Sequence, residues 1–234
     1  MQAITLITRD GTRLSAHTFG QGTRSVLIAS ATGVPQRFYR RYAEHLASRG
    51  LRVTTLDYRG IGESRHASDQ AFAMRDWAEQ DLTAAIDLAA DEAEHLTLVG
   101  HSFGGQALGL CDNNHRVQAL LGISAQSGHW RLWDGRYKVW MWAMMHGVLP
   151  ALVRMRGDIP AGLMGPDPLP RGVALEWSRW CRGPHYVSDA QGQPLLEAAA
   201  GLQVHGRRRL RRAPEPRGEN REIQAVHHPV PGQV

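Results

Sequence analysis

LTLVGHSFGGQALGL, residues 96–110, runs from an apolar stretch into glycines set around a serine, and then into small and apolar residues again. LTLV, short and mostly apolar, reads as a buried strand. FGGQALGLC, residues 103–111, carries the small side chains of a helix packed close to that strand. Between them, Gly100-His101-Ser102-Phe103-Gly104 fits G-x-S-x-G. The pattern is short enough to recur by chance and gains meaning only from a strand before it and a helix after it. In that setting Gly100 and Gly104 leave room for a sharp turn and close packing, and the turn lifts the Ser102 hydroxyl clear of the sheet. Ser102 is the candidate nucleophile; the alternative is a glycine-rich turn with a serine N-cap.

The flanking sequence repeats the same alternation. Residues 3–8 (AITLIT) and 13–19 (RLSAHTF) flank Asp10-Gly11, a hairpin signal, so the chain is expected to open with antiparallel strands. SVLIAS reads as a buried strand, residues 36–49 place Phe38, Tyr42 and Leu46 at helical spacing before Gly50, and LRVTTLD reads as another strand. Residues 74–91 suit an amphipathic helix, HLTLVG and VQALLGIS are strands, and FGGQALGLC lies between them as a helix. Strands alternating with helices predict an α/β fold with a mainly parallel sheet, an antiparallel N-terminal hairpin and helices on both faces.

The pattern changes from Gly128 to Ser188, a stretch rich in tryptophan. Trp130, Trp133, Tyr137, Trp140, Met141 and Met144 are placed on one helical stripe, more simply the stretch's own core than an acyl-binding wall. Pro160, Pro166, Pro168 and Pro170 mark an irregular loop before ALEWSRWC resumes a helical pattern. This reads as a helical cap inserted between strands. The division is residues 1–127 as the core, 128–188 as the cap and 189–234 as a remnant followed by a basic tail. From about Ala198 the sequence has no sustained period and the composition of a disordered segment.

Composition narrows the function classes. The 234 residues suffice for one domain of ordinary size, with 42% hydrophobic and 21% charged residues, as in soluble globular chains. The net charge of +5 comes almost wholly from seven arginines against three glutamates in residues 198–234, so it argues about that tail alone. Cys111 and Cys181 match no metal spacing and read as buried thiols; no metal and no cofactor are expected. VWMWAMMHGVLPALV, residues 139–153, is too short to span a bilayer and reads as a buried or interfacial helix. No secretory signal opens the chain, and the expected location is cytoplasmic.

Acyl transfer at Ser102 needs two backbone N–H donors fixed in advance for the tetrahedral oxyanion, each worth about a hundredfold to a thousandfold in rate. Phe103, directly after the serine, is one candidate. Val34, in the ATGVP loop after SVLIAS, is the other, with Gly33 letting the backbone turn. Asp57-Tyr58-Arg59-Gly60-Ile61-Gly62-Glu63-Ser64 follows LRVTTL as a tight structural loop, in which Asp57 and Arg59 are expected to pair.

ATG after one strand, DYRGIGES after the next and then VGHSFGG resemble the α/β-hydrolase superfamily, closest to its branch with a lipase-like or aminopeptidase-like helical cap. Residues 170–186, PRGVALEWSRWCRGPHY, resemble a group of bacterial hydrolases of undefined substrate. The resemblance covers residues 1–196. It implies Ser102 as nucleophile, Phe103 and Val34 as oxyanion donors, and a triad in the order Ser, Asp or Glu, His. The departure comes after the cap, where the family has two further strands that bring the acid and the histidine. This chain offers His205, His227, His228, Glu215, Glu219 and Glu222 there, none after a recognisable strand, so the triad acid and histidine are unassigned. His185 and Asp189 read as cap residues. A loss of reading frame near Glu197–Gly201 accounts for the abrupt change, and a genuine basic tail is the rival explanation.

Three functions follow. The first is a serine hydrolase acting on a small-molecule ester or amide through an acyl-enzyme. The second is an inactive remnant that keeps the strand-to-helix turn of Ser102, the nucleophile elbow, without acid or base. The third is a basic tail that binds nucleic acid or an anionic surface, for which the seven arginines are the whole case; a nucleic-acid partner is not expected.

Overall fold

The β-branched and apolar alternation of the first twenty residues forms a hairpin, β1 (Gln2–Ile7) paired antiparallel with β2 (Arg13–Phe19). Its turn is closed by Thr8 and Gly11, with Gly11 at φ +82° donating to the Thr8 carbonyl. The computed structural model describes residues 1–69, 71–91 and 93–195. The late histidines and glutamates, the basic tail and the frame-loss point near Glu197–Gly201 lie outside the described residues.

Four parallel strands follow: β3 (Arg24–Ala29), β4 (Arg52–Leu56), β5 (His95–His101) and β6 (Ala119–Ile123). With the hairpin they make one six-stranded sheet of order β1-β2-β4-β3-β5-β6, in which β2 pairs antiparallel with β4. β3 reads as a continuous apolar run because both its faces are covered, whereas β6, at the end of the strand order, is only partly buried. Val26, Ile28, Val53 and Val99 face α1 (Arg40–Ser48), which Gly50 ends at φ +83°. Leu27, Leu56, Leu96 and Leu98 face the other helical layer. That layer holds α2 (Met74–Asp76), a π-helical turn over Trp77–Leu82, α3 (Thr83–Asp91) and α4 (Phe103–Ala107).

The 128–188 stretch forms α5 (Gly135–Ala143), a π turn (Met144–Val148), α6 (Leu149–Arg156), the small hairpin β7 (Asp158–Ile159) and β8 (Leu169–Pro170), and α7 (Arg171–Arg182). Its Met141, Met145, Leu149, Val173 and Trp180 join the same apolar cluster as Leu27, Leu98 and Phe103. No helix among the described residues is long and apolar enough to cross a membrane.

Two sequence expectations are corrected. The aromatic stripe does not form: Trp130 lies in a separate 3-10 turn, and Gly135 at φ +54° restarts the helix. The phase shift buries Met141 and Met144 but leaves Tyr137 and Trp140 about half exposed, at 55% and 47%. Nor do Asp57 and Arg59 pair. Asp57 accepts from Gln36 N at 2.6 Å and Gln36 Nε2 at 3.2 Å, in the turn after β3, and from Glu63 N at 2.9 Å in its own loop. Arg59 reaches Asp81 and Asp10 instead.

Gly147, in the π turn, sets up one stability prediction. A Cβ there would meet nothing within 4 Å, and its φ is not positive. Gly147→Ala is expected to stabilise by about 0.5–1 kcal/mol through the entropy of the unfolded chain. The check is a rise in melting temperature of about 2 °C.

Candidate active site

Ser102 stands where β5 ends and α4 begins, at φ 51° and ψ −117°. A side-chain-bearing residue at positive φ is strained by about 1–3 kcal/mol and persists only when its surroundings over-determine it. Two contacts hold it: Ser102 N donates to the Ile123 carbonyl at 2.8 Å, and Gly105 N donates to the Ser102 carbonyl at 3.1 Å. The glycines allow the close approach. A Cβ on Gly100 would lie 2.3 Å from Gly105 Cα, and one on Gly104 would lie 2.2 Å from the Ala29 carbonyl oxygen. Ser102 itself is half-buried. Its neighbour across β6, Ser124, is a second positive-φ serine at 50°, which no glycine or turn motif in the sequence announces.

Phe103 is buried and opens α4. Its ring sits within 6.4 Å of the rings of Tyr58, Trp77 and Trp180, which anchors the start of the helix. Tyr58 and Trp77 stack at 5.0 Å, and Trp77 Nε1 donates to the Arg59 carbonyl at 3.0 Å. As the first helical residue, Phe103 has an N–H without an intrahelical acceptor.

The ATGVP loop crosses nearby. Ala31–Val34 make a turn with Gly33 at φ +69°, and Val34 N donates to the Ala31 carbonyl at 3.1 Å. Ala31 N donates to Tyr39 Oη at 3.0 Å, and Tyr39 Oη lies 2.8 Å from His101 Nδ1. Burial pushes the Tyr39 phenol up to about 12 and the His101 imidazole down, so both are neutral at pH 7. The phenol and Nδ1 therefore share one hydrogen bond between neutral groups, in which the donor is set by the imidazole tautomer. This bridge between the loop and the elbow residue is invisible in the sequence, because Tyr39 and His101 stand 62 positions apart.

Among the described residues no histidine is hydrogen-bonded to the Ser102 hydroxyl. His185 is exposed, and the Asp189 carboxylate accepts from Gln191 N at 3.0 Å and Gln193 N at 2.8 Å within its own turn. Cys111 and Cys181 are free and buried, and burial pushes both thiols up to about 12. Among the described residues no group of three or more His, Cys, Asp and Glu side chains is placed to hold a metal.

Comparison with known proteins bears on the same region. Over 106 residues, 44% of this chain, it is 35% identical to a protein of Variovorax paradoxus (strain S110) that carries the name carbamate hydrolase RutD. The bottromycin epimerase BotH, solved with bottromycin A2, superposes with a TM-score of 0.52 at 19% identity, covering 83% of this chain and 76% of its own. An esterase from Exiguobacterium antarcticum gives 0.45 at 22% identity over 55% of this chain and 47% of its own. The match spans 38% of the Variovorax protein's length. The sequence model of the alpha/beta hydrolase fold matches residues 17–155. That span is more than half of the chain and contains β3 to β6 with the serine turn, and on this ground the chain belongs to the α/β-hydrolase superfamily.

Proposed function

We propose that the chain is a serine hydrolase that cleaves a small-molecule ester or amide through an acyl-enzyme. The observation that carries this reading is the strained Ser102 backbone, φ 51° and ψ −117°, at the head of a helix whose glycines press against β3 and β5. In the reaction Ser102 Oγ attacks the substrate carbonyl carbon, its proton passes to a general base, and the carbonyl π electrons move onto oxygen. Phe103 N–H receives that oxyanion. Val34 N–H is the second donor in this proposal, exchanging or sharing its 3.1 Å bond to the Ala31 carbonyl. Residues 1–127 form the catalytic body and 128–188 the cap. The base and its carboxylate partner are not assigned to any described residue.

A second reading, an inactive member that keeps the elbow, is favoured by the absence of a histidine hydrogen-bonded to Ser102 among the described residues. A fluorophosphonate probe separates the two. The purified chain is expected to label at micromolar probe, and Ser102→Ala to lose labelling entirely. A chain that stays unlabelled, or labels equally in Ser102→Ala, rejects the acyl-enzyme reading. Removing triad partners elsewhere leaves about a thousandfold acceleration over water, so weak ester turnover alone does not decide the matter.

A further inference from the structure

The segment that returns from the cap, residues 165–172, lies directly on two loops of the core. Gly165 sits against Gly33, so closely that a Cβ on Gly165 would be 2.9 Å from the Gly33 carbonyl oxygen. Asp167 N donates to that same carbonyl at 3.2 Å. Its carboxylate is buried and takes three further donors: Arg37 Nη2 at 2.9 Å on Oδ1, with Gly62 N at 2.9 Å and Arg65 Nη2 at 3.2 Å on Oδ2. Arg37 belongs to the 3-10 turn after the ATGVP loop, and Gly62 and Arg65 to the loop after β4. Gly60 and Gly172 keep the same seam tight, against Pro170 and the Phe72 carbonyl.

One residue of the cap thus ties the carbonyl side of the Ala31–Val34 turn, the helical turn after it and the neighbouring loop. The other end of that turn is fixed from the core by Tyr39, through the Ala31 N–H. Burial alone would raise the Asp167 carboxyl, but the Gly62 N–H and the two guanidinium groups outweigh it. The group is held below the usual carboxylate range and stays charged.

We propose that Asp167 is a positioning residue through which the cap holds the 31–34 turn, and with it the Val34 N–H, in register with Ser102. The proposal rests on the acyl-enzyme reading for its catalytic meaning, while the latch is a property of the fold. A bond made by a cap residue to the turn that serves the oxyanion acts on bond formation at Ser102 more than on the fit of the probe. Asp167→Asn keeps the shape but removes the charge that holds both arginines.

The test combines two readouts on the full chain. With a fluorophosphonate probe, Asp167→Asn is expected to lower the maximal labelling rate of Ser102 about tenfold with little change in probe affinity. By hydrogen exchange, amides of residues 31–37 and 60–65 are expected to exchange at least tenfold faster in the variant, with other segments unchanged. Asp87→Asn, which breaks a charge cluster with Arg116 and Asn113 away from this seam, serves as the control and is expected to leave the labelling rate as it was. A folded Asp167→Asn with unchanged labelling rate overturns the proposal. If the parent chain itself does not label, the acyl-enzyme reading falls and exchange alone judges the latch, which unchanged protection at 31–37 would reject. Should Asp167→Asn fail to fold, Arg37→Met combined with Arg65→Met breaks the same ion pairs from their exposed side. The same two shifts are expected there, and their absence counts equally against the latch.

Discussion

Arg59→Met is expected to destabilise the protein by about 3–5 kcal/mol at neutral pH, the usual cost of stripping a buried charge network of one partner. Arg59 is 3% exposed. Its Nε donates to Asp81 Oδ1 at 2.7 Å, its backbone N to Asp81 Oδ2 at 2.9 Å, and its Nη1 to Asp10 Oδ2 at 2.7 Å. These bonds join the β1–β2 turn, the loop after β4 and the π turn that carries Asp81. Methionine would fill the space of the stem but leave Asp81, fully buried, with only a backbone donor.

The loss is expected to depend on pH in a definite direction. Burial pushes the Asp81 carboxyl up to about 6, against the pull of the guanidinium. A carboxyl raised on folding contributes stability below its unfolded value, and that contribution disappears as pH rises through about 6. Asp10 is the opposite case: burial opposes it, but Arg59 and Thr8 hold it well below the usual range. Its contribution is present at neutral pH and fades as pH falls through its depressed value. Without Arg59, Asp81 rises further and Asp10 loses its advantage, so the deficit is greatest at neutral pH and shrinks towards pH 4. Urea unfolding of parent and variant at pH 5 and 7.5 measures this. Equal deficits at the two values would show that ionisation of Asp81 adds nothing to the loss.

Local chemistry made much of the fold legible. Asp10-Gly11 announced the hairpin, the continuous apolar runs announced strands covered on both faces, and glycines around Ser102 announced a strand-to-helix turn. Each of these signals lies within about ten residues of what it specifies. The partners of Asp57 and Arg59 are not legible, because proximity in sequence suggests pairing at i and i+2 while the long-range partners come from the π turn Trp77–Leu82, the first hairpin and the turn after β3. The tryptophan stripe does not form for a related reason: Trp130 lies in a separate 3-10 turn and a left-handed glycine, Gly135, restarts the helix, so periodicity counted across the break loses its meaning. Asp167 gave no signal at all. In the sequence it is one acid among prolines, and only the convergence of Arg37, Arg65 and the Gly62 N–H on its carboxylate shows why a charge belongs there.

At the serine turn the backbone leaves no room for a methyl group, and Gly104→Ala is expected to cost about 3 kcal/mol or more. Overpacking a core by a methyl group typically costs about 1–3 kcal/mol when side chains can give way. Here the obstacle is backbone: the new Cβ would meet the Ala29 carbonyl oxygen at 2.2 Å, its carbon at 2.6 Å and the Ala29 Cβ at 2.9 Å. Ala29 ends β3, in the centre of the sheet between β4 and β5, so it cannot retreat without breaking its ladder. Helix α4 must move instead. Phe103 is wedged among Tyr58, Trp77 and Trp180 and resists that movement, so the strain passes back into the Ser102 turn. Two effects are therefore expected together: a fall in melting temperature of about 6–10 °C, and loss of probe labelling although Ser102 is still present. A thermal melt within one degree of the parent would show that α4 is free to slide, and would remove the packing basis for the strained serine.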